Sequence, residues 1–270
     1  MSFRVLMATF KRNFIIQTRA YPTEFFIGNL LTATYTVLSA YFMYNLLFKG
    51  SMNSSFTEFA GTSDYMTYVI LGGSMYLFIV RTFLNVSRSL ITEARTGTLE
   101  SLMLAPFDRF GYFIGNMLQQ TITTSMEFSI AILIGIPFGL NISNINVSAT
   151  LLAASISLVA FLGMSILLAS VMLYFRDTYL SQNTLFLFVF LVCGITFPVE
   201  YLPTWVQTIS RYIPVTTSLR LIRNSSMLGL GIQEQLTDFM SLSILAVIYL
   251  ILGFIFIKRV EKTSLEKTYA

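Results

Sequence analysis

The chain has no histidine, a single cysteine and few charges, and each shortage removes a class of explanation. Without histidine there is no imidazole general base and no imidazole metal ligand, which sets aside the commonest ways to build a hydrolase or a zinc site. A lone cysteine, Cys193, cannot close an internal disulfide and says nothing about redox compartment. Charged residues make up 11% of the 270, where a soluble domain carries about 25%. None of the lysines (Lys11, Lys49, Lys258, Lys262, Lys267) follows the Gly-x-x-x-x-Gly-Lys-Ser/Thr pattern that cradles a nucleotide phosphate. The chain is therefore expected to hold no cofactor and no metal, to have no catalytic residues, and to draw on an outside source for any energy it uses.

What is abundant is apolar: 55% of residues are hydrophobic, and 25 are phenylalanine. A bilayer crossing takes roughly 20 mostly apolar residues, and six such spans are predicted, at 26–48, 66–90, 112–138, 149–174, 181–197 and 239–258. The expected class is an all-α integral membrane protein forming a single domain over 1–270, without internal repeats or low-complexity tracts. The first twenty residues do not read as a cleavable signal, since Arg4, Lys11, Arg12 and Arg19 are scattered among apolar residues. Phe3, Leu6, Phe10 and Phe14 share one helical face. This suits either a helix lying in the membrane interface over 1–22 or a plain basic anchor.

Orientation follows from Lys and Arg in the short loops. With the N-terminus inside, twelve fall on cytoplasmic segments and four (Lys49, Arg211, Arg220, Arg223) outside, leaving only Arg81 within a span. Both termini are then cytoplasmic. The net charge of +4 reflects topology, and no nucleic-acid partner is expected.

Between the second and third spans lies "EARTGTLESLMLAP", Glu93 to Pro106. Gly97 can break or cap the helix that leaves the membrane, Glu100 suits the positive start of a following helix, and Pro106 limits its far end. Leu99, Leu102 and Met103 share a face. The stretch Gly97–Leu104 reads either as a surface loop or as a short amphipathic helix that can dock into a groove on a partner.

Three further groups stand out. Arg81 and Glu127 are charges inside spans two and three, roughly 9 Å apart in height at 1.5 Å per residue; they either pair and brace the spans, line a path, or reach out separately to polar surroundings. Arg176 and Asp177 sit in the cytoplasmic turn "YFRDTY", as an exposed ion pair or as a contact to the N-terminal helix or a partner. After span five come Pro198, Pro203 and Pro214, interleaved with Tyr201, Trp205 and Tyr212. Trp205, Ile209 and Tyr212 fall on one face of a helix starting at Pro203, which suits a segment dipping back into the outer leaflet or interfacial anchoring alone. Arg220 and Arg223 beyond it are candidates to meet lipid phosphates or an anionic substrate.

"EARTGTLESLMLAP", the turn "YFRDTYL" and "GITFPVEYLPTWVQTISRYIP" (Gly194 to Pro214) together resemble permeases of the ABC-2 transporter family, in the right order across nearly the whole chain. The resemblance implies six transmembrane helices with an N-terminal interfacial helix, a cytoplasmic coupling helix and a re-entrant outer segment between helices 5 and 6. In that reading Gly97, Thr98, Leu99, Glu100, Leu102 and Met103 contact a separate ATPase subunit, which binds ATP and Mg. A pair of such ATPases and a second permease subunit, identical or different, complete the exporter. Ala94 departs from the family, which often carries a charge there. The implied activity is ATP-driven export across a plasma membrane of an amphipathic cargo of drug, antibiotic or peptide type; the alternative cargo is a lipid-linked polysaccharide or teichoic acid. The implied source is bacterial. A gradient-driven transporter or channel would want several acidic residues at the midplane, and a lipid-modifying enzyme would want clustered carboxylates or histidines; neither pattern is present.

Overall fold

A computed structural model describes residues 3–52, 54–98, 101, 108–175 and 184–268, and every regular element among them is a helix. Helix α1 (Phe3–Ile15) runs on through a π turn, Ile16–Ala20, and breaks at Tyr21. Pro22 then opens α2 (Pro22–Phe42), a first-turn position where its missing N–H has no helical partner to lose. A π turn (Met43–Leu47) ends α2, and the short α3 (Ser54–Ala60) follows. Asp64 caps α4 (Tyr65–Ile79), its carboxylate accepting from the Thr67 amide at 3.0 Å and the Thr67 hydroxyl at 2.5 Å. A π segment, Val80–Asn85, joins α4 to α5 (Val86–Arg95). The long helices α6 (Arg109–Gly135) and α7 (Val147–Phe175) come next, α7 capped by Asn146, whose Oδ1 accepts from the Ala149 amide at 3.2 Å. Then come α8 (Phe186–Val192), a 3-10 turn at Val199–Tyr201, α9 (Thr204–Arg211), α10 (Pro214–Met227) and α11 (Leu236–Thr268).

Among the described residues, five helical stretches are long and apolar enough to cross a membrane: Pro22–Leu47, Tyr65–Glu93, Arg109–Phe138, Val147–Phe175 and Leu236–Val260. The expected span 181–197 begins outside the described residues, and its described helix stops at Val192. There Gly194 adopts a left-handed φ of 73° and Pro198 lies ahead, so the chain leaves the helix early.

Apolarity does not mark the centre of this bundle. Leu236–Val260 is the most apolar of the five, yet only 22% of its apolar stretch is buried, against 67% for the less apolar Tyr65–Glu93. Lipid tails solvate Ile244, Val247, Ile251 and Ile255 on α11 as well as a protein core would, so helix association rests on close packing and polar contacts. Helices α7 and α11 meet backbone to backbone: a Cβ on Gly163 would lie 2.5 Å from the Leu250 nitrogen, so any larger residue forces them apart. The interior is built by Ile79, Phe83 and Leu84, Tyr112 and Phe113, Phe161 and Ile166, and Leu219 and Leu221.

Helix α1 lies along α6. Phe3 is 70% exposed, while Leu6 and Thr9 are buried and Asn13 bonds Asn116 across to α6 at 2.6 Å. Gln17 beyond them accepts from Gln119 at 2.5 Å. The reason is the apolar surroundings: aromatic residues, with Phe10 and Phe14 stacked at 5.9 Å, need no protein partner there, whereas amides do.

The bundle has two distinct ends. At the near end Arg12 meets Glu93 and Phe110 packs on Phe254. At the far end the Asn146 amide donates to Ser225 O at 2.8 Å, and the rings of Phe59 and Tyr201 lie 5.5 Å apart.

Candidate functional site

The near end centres on Glu93. Gly97, with a φ of 75°, lets the chain reverse so that the Thr98 amide closes a bond of 3.0 Å back to Glu93 O, the six-to-one closure of a Schellman turn. The Thr98 hydroxyl donates to Glu93 Oε2 at 2.5 Å. On its other oxygen, Glu93 Oε1 accepts from Arg12 Nη2 at 2.6 Å and from the Tyr112 hydroxyl at 3.3 Å. One carboxylate thus joins α1, α5, α6 and the root of the segment that leaves Gly97. Burial opposes the Arg12 charge, but the hydrogen bond and negative charge of Glu93 raise its pKa above the ordinary arginine value.

Gly97 and Thr98 are therefore placed at the helix exit. Leu99, Glu100, Leu102 and Met103, the remainder of the expected docking helix, lie outside the described residues, as do Arg176 and Asp177 of the expected cytoplasmic turn.

Deeper in the bundle the structure brings Arg81 and Glu127 together. Arg81 Nε donates to Glu127 Oε2 at 2.8 Å, Arg81 Nη2 donates to Glu127 Oε1, and the same nitrogen reaches Asn29 Oδ1 on α2 at 3.0 Å. The helices end at Arg95 and Arg109 rather than at 90 and 112. Their heights consequently differ by about 6 Å at 1.5 Å per residue, within reach of an arginine stem.

Arg81 stands in the π segment, whose wider turn disturbs the usual pairing of carbonyls with amides four residues on. Ser165 of α7 meets this disturbance. Its Oγ lies 2.8 Å from Thr82 O, 3.2 Å from Phe83 O and 2.6 Å from its own Phe161 O, so one proton serves three acceptors.

At the far end Arg223 corrects the expectation that it faces lipid phosphates. It is 7% exposed, donates from Nη1 to Gly194 O at 2.6 Å and from Nη2 to Ile195 O and Tyr68 O, and lies 3.6 Å from the centre of the Tyr68 ring. The early end of α8 frees the Gly194 and Ile195 carbonyls, and an arginine fork satisfies them. Gly72 makes room: a Cβ there would lie 2.0 Å from Ile195 O and 2.1 Å from Arg223 Nη2. Arg220, by contrast, is exposed and pairs with Asp238 at 2.5 Å.

Among the aromatic and proline residues of the expected re-entrant segment, Pro203 and Pro214 stand at the starts of α9 and α10. Pro198 precedes the 3-10 turn. Tyr201, Trp205 and Tyr212 are all exposed, Trp205 and Ile209 on one flank of α9.

Sequence reasoning passed over Arg12, Asn29, Gly72, Tyr112 and Ser165. An amide inside span one and a Gly-Gly pair at 72 and 73 were visible signals; the 81-residue separation of Arg12 and Glu93 offered none.

A multi-pass helical bundle, with ion pairs at both ends and one within, is the architecture of a membrane-embedded protein. The ABC-2 type transporter family description matches residues 4–227, and the chain belongs to that family. This is a transport permease domain, and permeases of the family typically work with an ABC ATPase. No curated protein matches the chain.

Proposed function

We propose that this chain is the membrane subunit of an ATP-driven exporter, that it works as a pair with a second permease subunit, and that a separate pair of ATPase subunits binds ATP and Mg and docks at Gly97–Leu104. The observation that carries the proposal is the Glu93 junction, where the root of the docking segment is tied by backbone and side chain to Glu93, and Glu93 to Arg12 and Tyr112. A push on that segment reaches α1, α5 and α6 together, because a short rigid connection moves its attached elements as one body. In this reading the near end is cytoplasmic, both termini with it, in the plasma membrane of a bacterium, and α1 lies along the inner surface.

The cargo is an amphipathic molecule of drug, antibiotic or peptide type. Support comes from the hydroxyls of α6: Thr121, Ser125 and Ser129 each donate to the carbonyl four residues back, at 2.8 Å, and so offer their protons to the helix rather than to a sugar chain.

The test is affinity purification of the full chain from membranes in mild detergent, scored for a co-purifying ATPase and its hydrolysis rate, beside Leu99→Asp combined with Leu102→Asp. Loss of the ATPase from a variant that is still folded and inserted is the expected result. Absence of any ATPase with the unaltered chain under several gentle conditions contradicts the reading and favours a gradient-driven carrier.

A further inference from the structure

At the far end, α9, α10, α4 and the turn after α8 enclose a cavity of about 240 Å³. Arg211, Arg220 and Arg223 line it, with Glu200 and Tyr68. Counting Asp238, which pairs with Arg220, three arginines face two carboxylates, an excess of one positive charge.

Arg223 is the built part of this cavity. Its Nη groups are committed to carbonyls and its Nε is out of reach of solvent, so it gives the cavity wall a positive charge rather than a free donor. Arg211 and Arg220 stand exposed at the mouth, where a ligand can arrive. The volume lies below the roughly 300–1,000 Å³ of pockets that enclose drug-sized ligands, so a headgroup fits better than a whole cargo.

Depth identifies the kind of headgroup. Trp205 is 67% exposed and Tyr212 68% exposed on the short helix beside the cavity. Exposed Trp and Tyr concentrate where lipid headgroups meet the acyl region. Arginine forks at that level match phosphate oxygens two at a time.

We propose that this cavity binds the phosphate of a lipid headgroup, with Arg211 and Arg220 capturing it at the mouth and the buried charge of Arg223 behind them. The site stands apart from the ATPase reading and survives if that reading fails, because binding requires only this chain.

Trp205 is the only tryptophan, so its emission reports on this end alone. The full chain in neutral detergent would be titrated with phosphatidylglycerol, phosphatidylcholine and glycerol phosphate, with retained lipid counted in parallel by native mass spectrometry. A saturable response to phosphatidylglycerol, weakened about tenfold by Arg211→Gln with Arg220→Gln, is expected; that variant leaves the buried Arg223 contacts intact. Phosphatidylcholine shares the phosphate but adds an ammonium, which the net positive cavity disfavours, so weaker retention is expected. An equal response to glycerol phosphate assigns the site to the phosphate group itself, and none assigns it to a membrane lipid. If the double variant retains phosphatidylglycerol as the unaltered chain does, or if neither readout detects it, the proposal is overturned.

Discussion

Arg81 and Arg223 are both arginines drawn away from water by an apolar chain, and they are settled in opposite ways. Arg81, on the π segment between α4 and α5, meets the carboxylate of Glu127 in a two-point contact, with Asn29 completing it. Arg223 donates to the carbonyls of Gly194, Ile195 and Tyr68 and lies against an aromatic face. The difference follows from backbone. Around Arg81 the helical path continues and carbonyls next to it in the π segment are met by Ser165, so the buried guanidinium needs a side-chain anion. Where a helix stops early, as α8 does at Val192, freed carbonyls need donors, and one arginine can serve several.

The largest effect is expected from breaking the first arrangement. Glu127→Leu leaves a guanidinium without its counter-charge, a change that costs about 3–5 kcal/mol for a buried pair. Arg81→Met with Glu127→Leu should recover most of that loss. Thermal unfolding of the three variants in detergent checks this; a double variant as unstable as the sum of the singles means the pair is not coupled.

The second arrangement should behave differently. Arg223→Gln strands buried carbonyls at a cost of about 1–3 kcal/mol, and no charge swap rescues it because no carboxylate is its partner. Gly72→Ala attacks the same contact from the other side, and combining the two should cost less than their sum. Proteolysis between α8 and α10 should rise in both, and unchanged cleavage would count against the staple.

A smaller loss, about 1 kcal/mol, is expected for Ser165→Ala, which removes the proton shared with Thr82 O and Phe83 O. Melting temperature reads it directly, and a loss matching that of Glu127→Leu would mean that the π segment depends on Ser165 far more than one hydrogen bond allows.

Much of the fold was legible because bilayer thickness fixes span length. Five of the six expected spans coincide with crossing helices, 26–48 running one residue past Leu47, and Gly97 marks the helix exit as read. Contacts across the bundle were less legible. Arg81 and Glu127 were conspicuous as charges in apolar runs, but their pairing depended on helix ends that hydropathy blurs by several residues. Arg223 was misread as lipid-facing because a positive charge after a proline-rich stretch resembles an interfacial anchor, and nothing local reveals that α8 ends early. The face of α1 that packs on α6 through Leu6, Thr9 and Asn13 was not legible, because in lipid the apolar stripe need not face the protein.

The smallest effect on stability belongs to the near end. Arg12 is 46% exposed in its pair with Glu93, and such contacts are worth about 0–1 kcal/mol. Glu93 is nevertheless the point where the chain leaving Gly97, proposed to dock the ATPase, is tied to the bundle. The most direct measurement is ATP hydrolysis by the purified complex carrying Glu93→Gln, taken beside its melting temperature. A severalfold fall in hydrolysis with the melting temperature nearly unmoved is the predicted result. Hydrolysis that stays unchanged, or that falls only in step with stability, contradicts the claim that this junction transmits the push.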